Sequence, residues 1–214
     1  MAKKKEEKIQ VRIAPPNHEF IEMHISNEGL PSMIVHRFSE KAQQQLKDID
    51  NNKKGTRKGV RPARNPEQEY QDSLYRMPDK NNVFGVPTAG FKHAMVRAAK
   101  AVDGITMTDM KMAFWVLEDD GGLVKIEGKP NLHESIVRLS GPGRPPQIRY
   151  RGEFKDWSAI LKIRFDADLF TAEEIINLCA RAGSTVGWGE RRLEKGYDHG
   201  GWIIKKAKVS KCAA

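Results

Sequence analysis

The chain has 214 residues, 39% of them hydrophobic and 30% charged, enough for one large domain or two small ones with a real core. No apolar run approaches the roughly 18 residues that a membrane-spanning helix needs. The opening "MAKKKEEKIQ" lacks the apolar core of an export signal, and Cys179 and Cys212 are too few for a disulfide scaffold, which points to a reducing compartment. A formal net charge of +9 favours a polyanionic partner.

Residues 8–26, "KIQVRIAPPNHEFIEMHIS", alternate as two short strands around Pro15-Pro16. After "GLPSMIVHRFS", Ser39 is placed to cap a helix through "EKAQQQLKDID". The run 51–66, "NNKKGTRKGVRPARNP", carries Lys53, Lys54, Arg57, Lys58, Arg61 and Arg64 with no acid and almost nothing apolar. It cannot bury enough surface to offset its ordering entropy, so a basic loop is expected, either a solvated insertion or an arm that orders on phosphates.

"VPTAGFKHAMVRAAKAV" reads as a helix capped by Thr88, with Phe91, Ala94, Met95, Ala98 and Val102 as its buried stripe. His93, Arg97 and Lys100 share another face, and Lys92 stands by the helix N-terminus, where backbone N–H groups suit an anion. "KMAFWVLE", "GLVKIEG" and "ESIVRLS" read as strands, with "EDDGG" as a hairpin turn between the first two, and "GPGRPP" as a loop. Alternation in "QIRYRGEFK" and "AILKIRF" then predicts a hairpin through "DWSA" that sets Phe154 against Leu161 and Arg151 beside Arg164. Two facing arginines require an anion or a carboxylate between them. "TAEEIINLCARAG" is a helix with a Thr171/Glu174 capping box, an apolar stripe of Ile175, Leu178, Cys179 and Ala182, and a stop at Gly183. The chain closes on a strand, "GGWIIKKAKV".

Between that helix and strand lies "VGWGERRLEKGYDHGGW", dense in glycine, arginine and aromatic residues. Gly183, Gly187 and Gly189 would let main-chain N–H groups approach phosphates, Arg191 and Arg192 would add charge-assisted bonds, and Trp188 or Tyr197 would stack an unpaired base. A plain glycine-rich turn with Glu190 paired to an arginine is the alternative. If six such cations contact phosphates, log affinity should fall with log salt at a slope of about −4 on a single strand.

The stretch from "CARAG" through the glycines resembles the glycine-rich loop of the repeat-associated mysterious protein (RAMP) superfamily, which includes RNA-binding backbone subunits and processing ribonucleases of CRISPR systems. "GVPTAGFKHAMVRAA" is similar to its other habitual segment, and the two stand in the order the superfamily uses. "SLYR", "YRGEF", "DWSA" and "GERRLEKG" together also resemble a family of phage and prophage proteins. The resemblance implies a single α+β domain over residues 1–214. Its expected form is a ferredoxin-like, RNA-recognition-motif-like antiparallel sheet with helices on one face and the basic run as an insertion. It also implies single-stranded RNA or DNA as partner, homo-oligomeric or multisubunit assembly, and the cytoplasm of a bacterium or phage-infected cell.

No HExxH, nucleophile elbow, Walker A or HxE…PCxxC string occurs, the six histidines form no metal-spaced cluster, and Glu118-Asp119-Asp120 reads as a turn. No cofactor, metal or catalytic residue is assigned. His36 and His93 are the two positions a metal-independent endoribonuclease would use. A phage structural or assembly protein, its charge serving protein contacts, is the other alternative.

Overall fold

The computed structural model describes residues 15–38, 44, 47, 64–80, 82–138 and 145–211. The expectations for residues 8–14, "GPGRPP" up to 144 and Lys53, Lys54, Arg57, Lys58 and Arg61 fall outside that set. Of the segment after Ser39 only Gln44 and Lys47 are described, both helical.

The chain is α+β with two antiparallel sheets. Strand β1 is His18–Ser26, β2 Met33–Val35, β3 Phe84–Pro87, β4 Phe114–Leu117, β5 Leu123–Glu127, β6 Pro130–Val137, β7 Gln147–Phe154, β8 Ser158–Asp166 and β9 Ile203–Lys211. The helices are α1 Pro66–Ser73, α2 Thr88–Ala98, α3 Met107–Ala113 and α4 Ala172–Thr185. The larger sheet runs β3-β5-β8-β1-β9, with β4 also on β8 beyond β5; the smaller runs β2-β7-β6.

Alternation along β1 and β8 decides which face of the larger sheet is covered. Ile21, Met23 and Ile25 meet Ile163, Leu161 and Ala159 in register, and all six are buried. Over them pack α2, through Phe91, Ala94, Met95 and Ala98, and α4, through Ile175, Leu178, Cys179 and Ala182. Burial pushes the Cys179 thiol up to about 12, so it is a core residue and not a nucleophile. The α4 capping box forms as its sequence requires, Thr171 and Glu174 each bonding the other's backbone. That helix does not stop at Gly183. It runs to Thr185, and Gly183 lies under Trp202, where a side chain would overlap the Trp202 backbone.

Several local readings change. Thr88 is the first helical residue, not the cap; its hydroxyl donates to the Gly122 carbonyl at 3.2 Å. Residues 107–113 form α3, with its own Thr106/Asp109 capping box, where a strand was expected from Lys111. Asn65 caps α1, accepting from the Gln68 amide, so the basic run ends in a helix start with Pro66 at its first turn. β4 and β5 are joined by the expected turn, but both pair with β8 and not with each other.

The largest correction concerns β7 and β8, which form no hairpin. β7 pairs with β6 and β2, while β8 pairs with β1, β4 and β5. The chain turns from one sheet into the other at Lys155–Trp157. Buried Asn27 fixes this corner, donating to the Lys155 carbonyl at 2.7 Å and accepting from the Trp157 amide at 2.8 Å. Arg151 and Arg164 therefore belong to different sheets and do not face each other.

Candidate nucleic-acid interface

The two segments singled out in the sequence meet in space. Gly90, in the first turn of α2, lies directly beneath the Trp188 indole, where a Cβ would overlap the ring. The indole N–H donates to the Pro87 carbonyl at 3.4 Å, and the ring packs near Phe91 and Tyr75. Trp188 is 7% exposed and so offers no stacking surface to a base; the hydrophobic gain of a large aromatic ring holds it in the core. A cleft of about 220 Å³ remains between helix and loop, bordered by His93, Gly189, Arg192 and Glu194.

The glycines serve close packing of the loop more than exposure of its main chain. Gly187, Gly189 and Gly200 all have φ between +72° and +97°. The Gly187 amide donates to Ala182, Trp188 to Gly200, Glu190 to Ile34 and Gly200 to Ser32, at 2.8–2.9 Å. Those N–H groups are thus not available to phosphates, contrary to the expectation drawn from the glycine pattern. The loop is stitched along the free edge of β2, and this lays Glu190 and Arg191 beside the smaller sheet.

The predicted cations divide into two groups. Arg192 and Arg97 share Glu194: Arg97 Nε lies 2.6 Å from one carboxylate oxygen and Arg192 Nη2 3.0 Å from the other. Hydrogen bonding from Arg192 and the nearby cations hold the Glu194 carboxyl low against the opposing effect of burial. Arg64 is tied to Glu69 and lies over the Tyr150 ring at 5.6 Å. Arg151 is buried, 2% exposed, and paired with Glu190, which supplies the carboxylate that its position demanded. Each of these four thus has a carboxylate partner, though Arg97 and Arg192 share one. Lys92 reaches across to the Phe114 and Trp115 rings, Arg164 lies on Trp115, and His93 is exposed. Arg191 pairs with no carboxylate among the described residues; it lies over the Tyr197 ring at 5.7 Å.

Around Glu190 a cluster forms that the sequence did not show as a unit. Arg149 and Arg151, two apart on β7, project from the same face. Both Arg149 and Arg191 stand close enough to depress the Arg151 guanidinium, which burial chiefly lowers to about 10. His36 Nδ1 lies 3.1 Å from the second Glu190 oxygen. Burial first, then Arg151 and Arg149, bring its imidazole down to about 4, so at neutral pH it is an uncharged donor to Glu190. Three guanidinium groups thus stand together around a single ion pair, Arg151 with Glu190, and Arg149 and Arg191 have no acidic partner among the described residues. Exposed aromatic rings flank them: Tyr197 at 52% exposure and Phe38 at 57%, the latter tilted against the His36 ring at 5.4 Å. Arg191 adopts φ +50°, a conformation that suits glycine or asparagine far better, and keeps a long charged side chain there.

A second polar group adjoins this cluster. Ser32 donates to Glu153 at 2.5 Å and contacts His199 Nδ1 at 3.0 Å, while His133 Nδ1 lies 3.3 Å from the other Glu153 oxygen. Burial works to raise the Glu153 carboxyl, but the Ser32 bond and His133 hold it below its ordinary value. Of all these partners, only Glu190 was legible as an arginine's counter-ion. Arg149, His36 and Phe38 come to the site through β2–β7 pairing, which no local pattern encodes.

No family model and no curated protein matches the chain. Among solved structures, a chain of the Type III-B Cmr-β complex bound to cognate target RNA superposes with a TM-score of 0.53 at 11% identity, over 92% of this chain and 62% of that one. At that identity the likeness shows a shared fold alone, and this chain spans less than two-thirds of that protein's length. A chain of a CRISPR RNA-guided surveillance complex aligns over 89% of this chain and 68% of its own, at 9% identity and a TM-score of 0.36, too distant to carry an argument. No helix among the described residues is long and apolar enough to cross a membrane.

Proposed function

We propose that the protein is a non-catalytic, single-stranded nucleic-acid-binding protein, RNA-preferring and of RAMP type, that works within a multisubunit or homo-oligomeric assembly. The observation that carries this reading is the Arg149, Arg151 and Arg191 cluster, three guanidinium groups against the single Glu190 carboxylate, flanked by exposed Tyr197 and Phe38. A phosphate between Arg149 and Arg191 would supply the missing negative charge, and the rings beside it suit unpaired bases. The neighbour of shared fold comes from a complex described as bound to cognate target RNA, which agrees with this chemistry.

The antiparallel order β9-β1-β8-β4, with α2 and α4 on one face, supports a ferredoxin-like reading of the larger sheet. In this reading residues 1–214 are one domain and the basic run at 51–66 is a further phosphate-contacting arm. The histidines do not argue for catalysis: His36 is engaged with Glu190, and His93 stands exposed on α2. Fluorescence anisotropy with a labelled single-stranded RNA, its DNA counterpart and a duplex tests the proposal. Tighter binding of the single strands, weakened by salt, is expected. Absence of binding at low salt, or equal binding of all three, overturns it.

A further inference from the structure

The face of the larger sheet opposite the helices carries a second grouping. In register across three strands, Phe20 on β1 lies beside Arg164 on β8, which lies beside Trp115 on β4. All three point away from the core, because their neighbours Ile21, Phe165 and Phe114 point into it. The Arg164 guanidinium lies over the Trp115 ring at 4.6 Å, and Lys92 Nζ approaches the same ring at 5.8 Å. His18 meets Trp115 edge-on at 5.5 Å.

Neither Arg164 nor Lys92 has a carboxylate partner among the described residues, and burial alone lowers Lys92. Two buried polar atoms there, His18 Nδ1 and Arg164 Nε, make no hydrogen bond. In the adjacent rows of the same face, Glu22 lies between Lys162, which is paired with Asp119 at 2.9 Å, and Lys208, and His24 lies opposite Lys206. An aromatic–arginine–aromatic row flanked by cations, with a guanidinium N–H left unbonded, is suited to one kind of ligand: a planar ring that carries negative charge on its tether.

On this ground we propose that the Phe20–Arg164–Trp115 row is a second nucleotide site, where an unpaired base stacks on the row and its phosphate is held by Arg164 and Lys92. The inference rests on the nucleic-acid-binding reading above and extends the strand's path from the loop face onto the open sheet face. Guanidinium planes and aromatic rings both accept stacked bases, with little sequence preference.

Tryptophan fluorescence reports on this site selectively. Trp157, Trp188 and Trp202 are buried at 4%, 7% and 1% exposure, so Trp115 is the one tryptophan of the four that a ligand can reach. Titrating the intact protein with an unlabelled single-stranded oligonucleotide should quench emission, and Trp115→Phe should abolish the quench. Phe20→Ala should weaken binding roughly 5- to 150-fold, the loss of one stacked base. Arg164→Lys, which keeps the charge and loses the plane, should weaken binding while preserving the fold by circular dichroism. Binding seen by anisotropy with no quench in the wild type would overturn the row and leave the loop-face reading standing. Absence of binding by either measurement removes both.

Discussion

Replacing Glu190 by glutamine isolates the electrostatics of the cluster, because it removes one charge and almost no volume. Arg151 is 3% exposed at its side chain and paired with that carboxylate; burial first, then Arg149 and Arg191, lower its guanidinium to about 10, so it is charged at pH 7. Removing one member of a buried pair leaves the other uncompensated, at a cost of about 3–5 kcal/mol. Urea denaturation at pH 7 should therefore show Glu190→Gln less stable by that amount, with an unchanged slope against denaturant. The cluster should then bind an anion more avidly than the wild type does. A single-stranded oligonucleotide at about 100 times its Kd adds roughly 2.7 kcal/mol to any state that binds it. At one fixed concentration, the gain in stability should be larger for the variant. If the variant is as stable as the wild type, Glu190 does not hold Arg151. If the oligonucleotide stabilises both alike, phosphate and carboxylate do not compete for these arginines.

Acid should act through His36. The unfolded chain takes up its proton near pH 6.5 and the folded chain only near 4, so the unfolded state holds more protons between these values. Stability from this group is complete above pH 6.5 and is lost as pH falls toward 4, by about 1–3 kcal/mol once its 33% exposure is allowed for. His36→Gln should flatten stability against pH in that window; an unchanged profile would contradict the assignment. Gly90→Ala would ordinarily stabilise a helix, but here its methyl would enter the Trp188 indole. Thermal or urea unfolding should show it destabilised by roughly 1–3 kcal/mol from overpacking, and a neutral or stabilised variant would refute the helix–loop contact.

Periodicity sufficed for elements whose signals are local. The stripes of α2 and α4, the Thr171/Glu174 box and the alternation in β1, β7 and β8 all follow from adjacent residues. Strand partners did not follow. Alternation tells which residues of β7 and β8 point inward, but each strand has its own sheet, and the Asn27 bonds that turn the chain join positions 128 and 130 residues apart. The same limit explains the site. Arg151 was recognisable as needing a carboxylate, yet Glu190 reaches it only because the glycine loop follows β2. Trp188 had the composition of a stacking residue and the destination of a core residue, since Gly90 opens a place for it on α2. Arg149 and Phe38 carried no local signal, because isolated basic and aromatic residues are ordinary, and His36 was singled out only as an acid–base candidate.

The most direct test of the central claim is the salt dependence of single-strand binding in wild type and in an Arg149→Ala/Arg191→Ala variant, measured by anisotropy between 50 and 200 mM salt. Each phosphate contact on a single strand contributes about 0.7 to the slope of log affinity against log salt, so the double variant should be shallower by about 1.4. Two parallel lines would show that these arginines touch no phosphate, and would contradict the account.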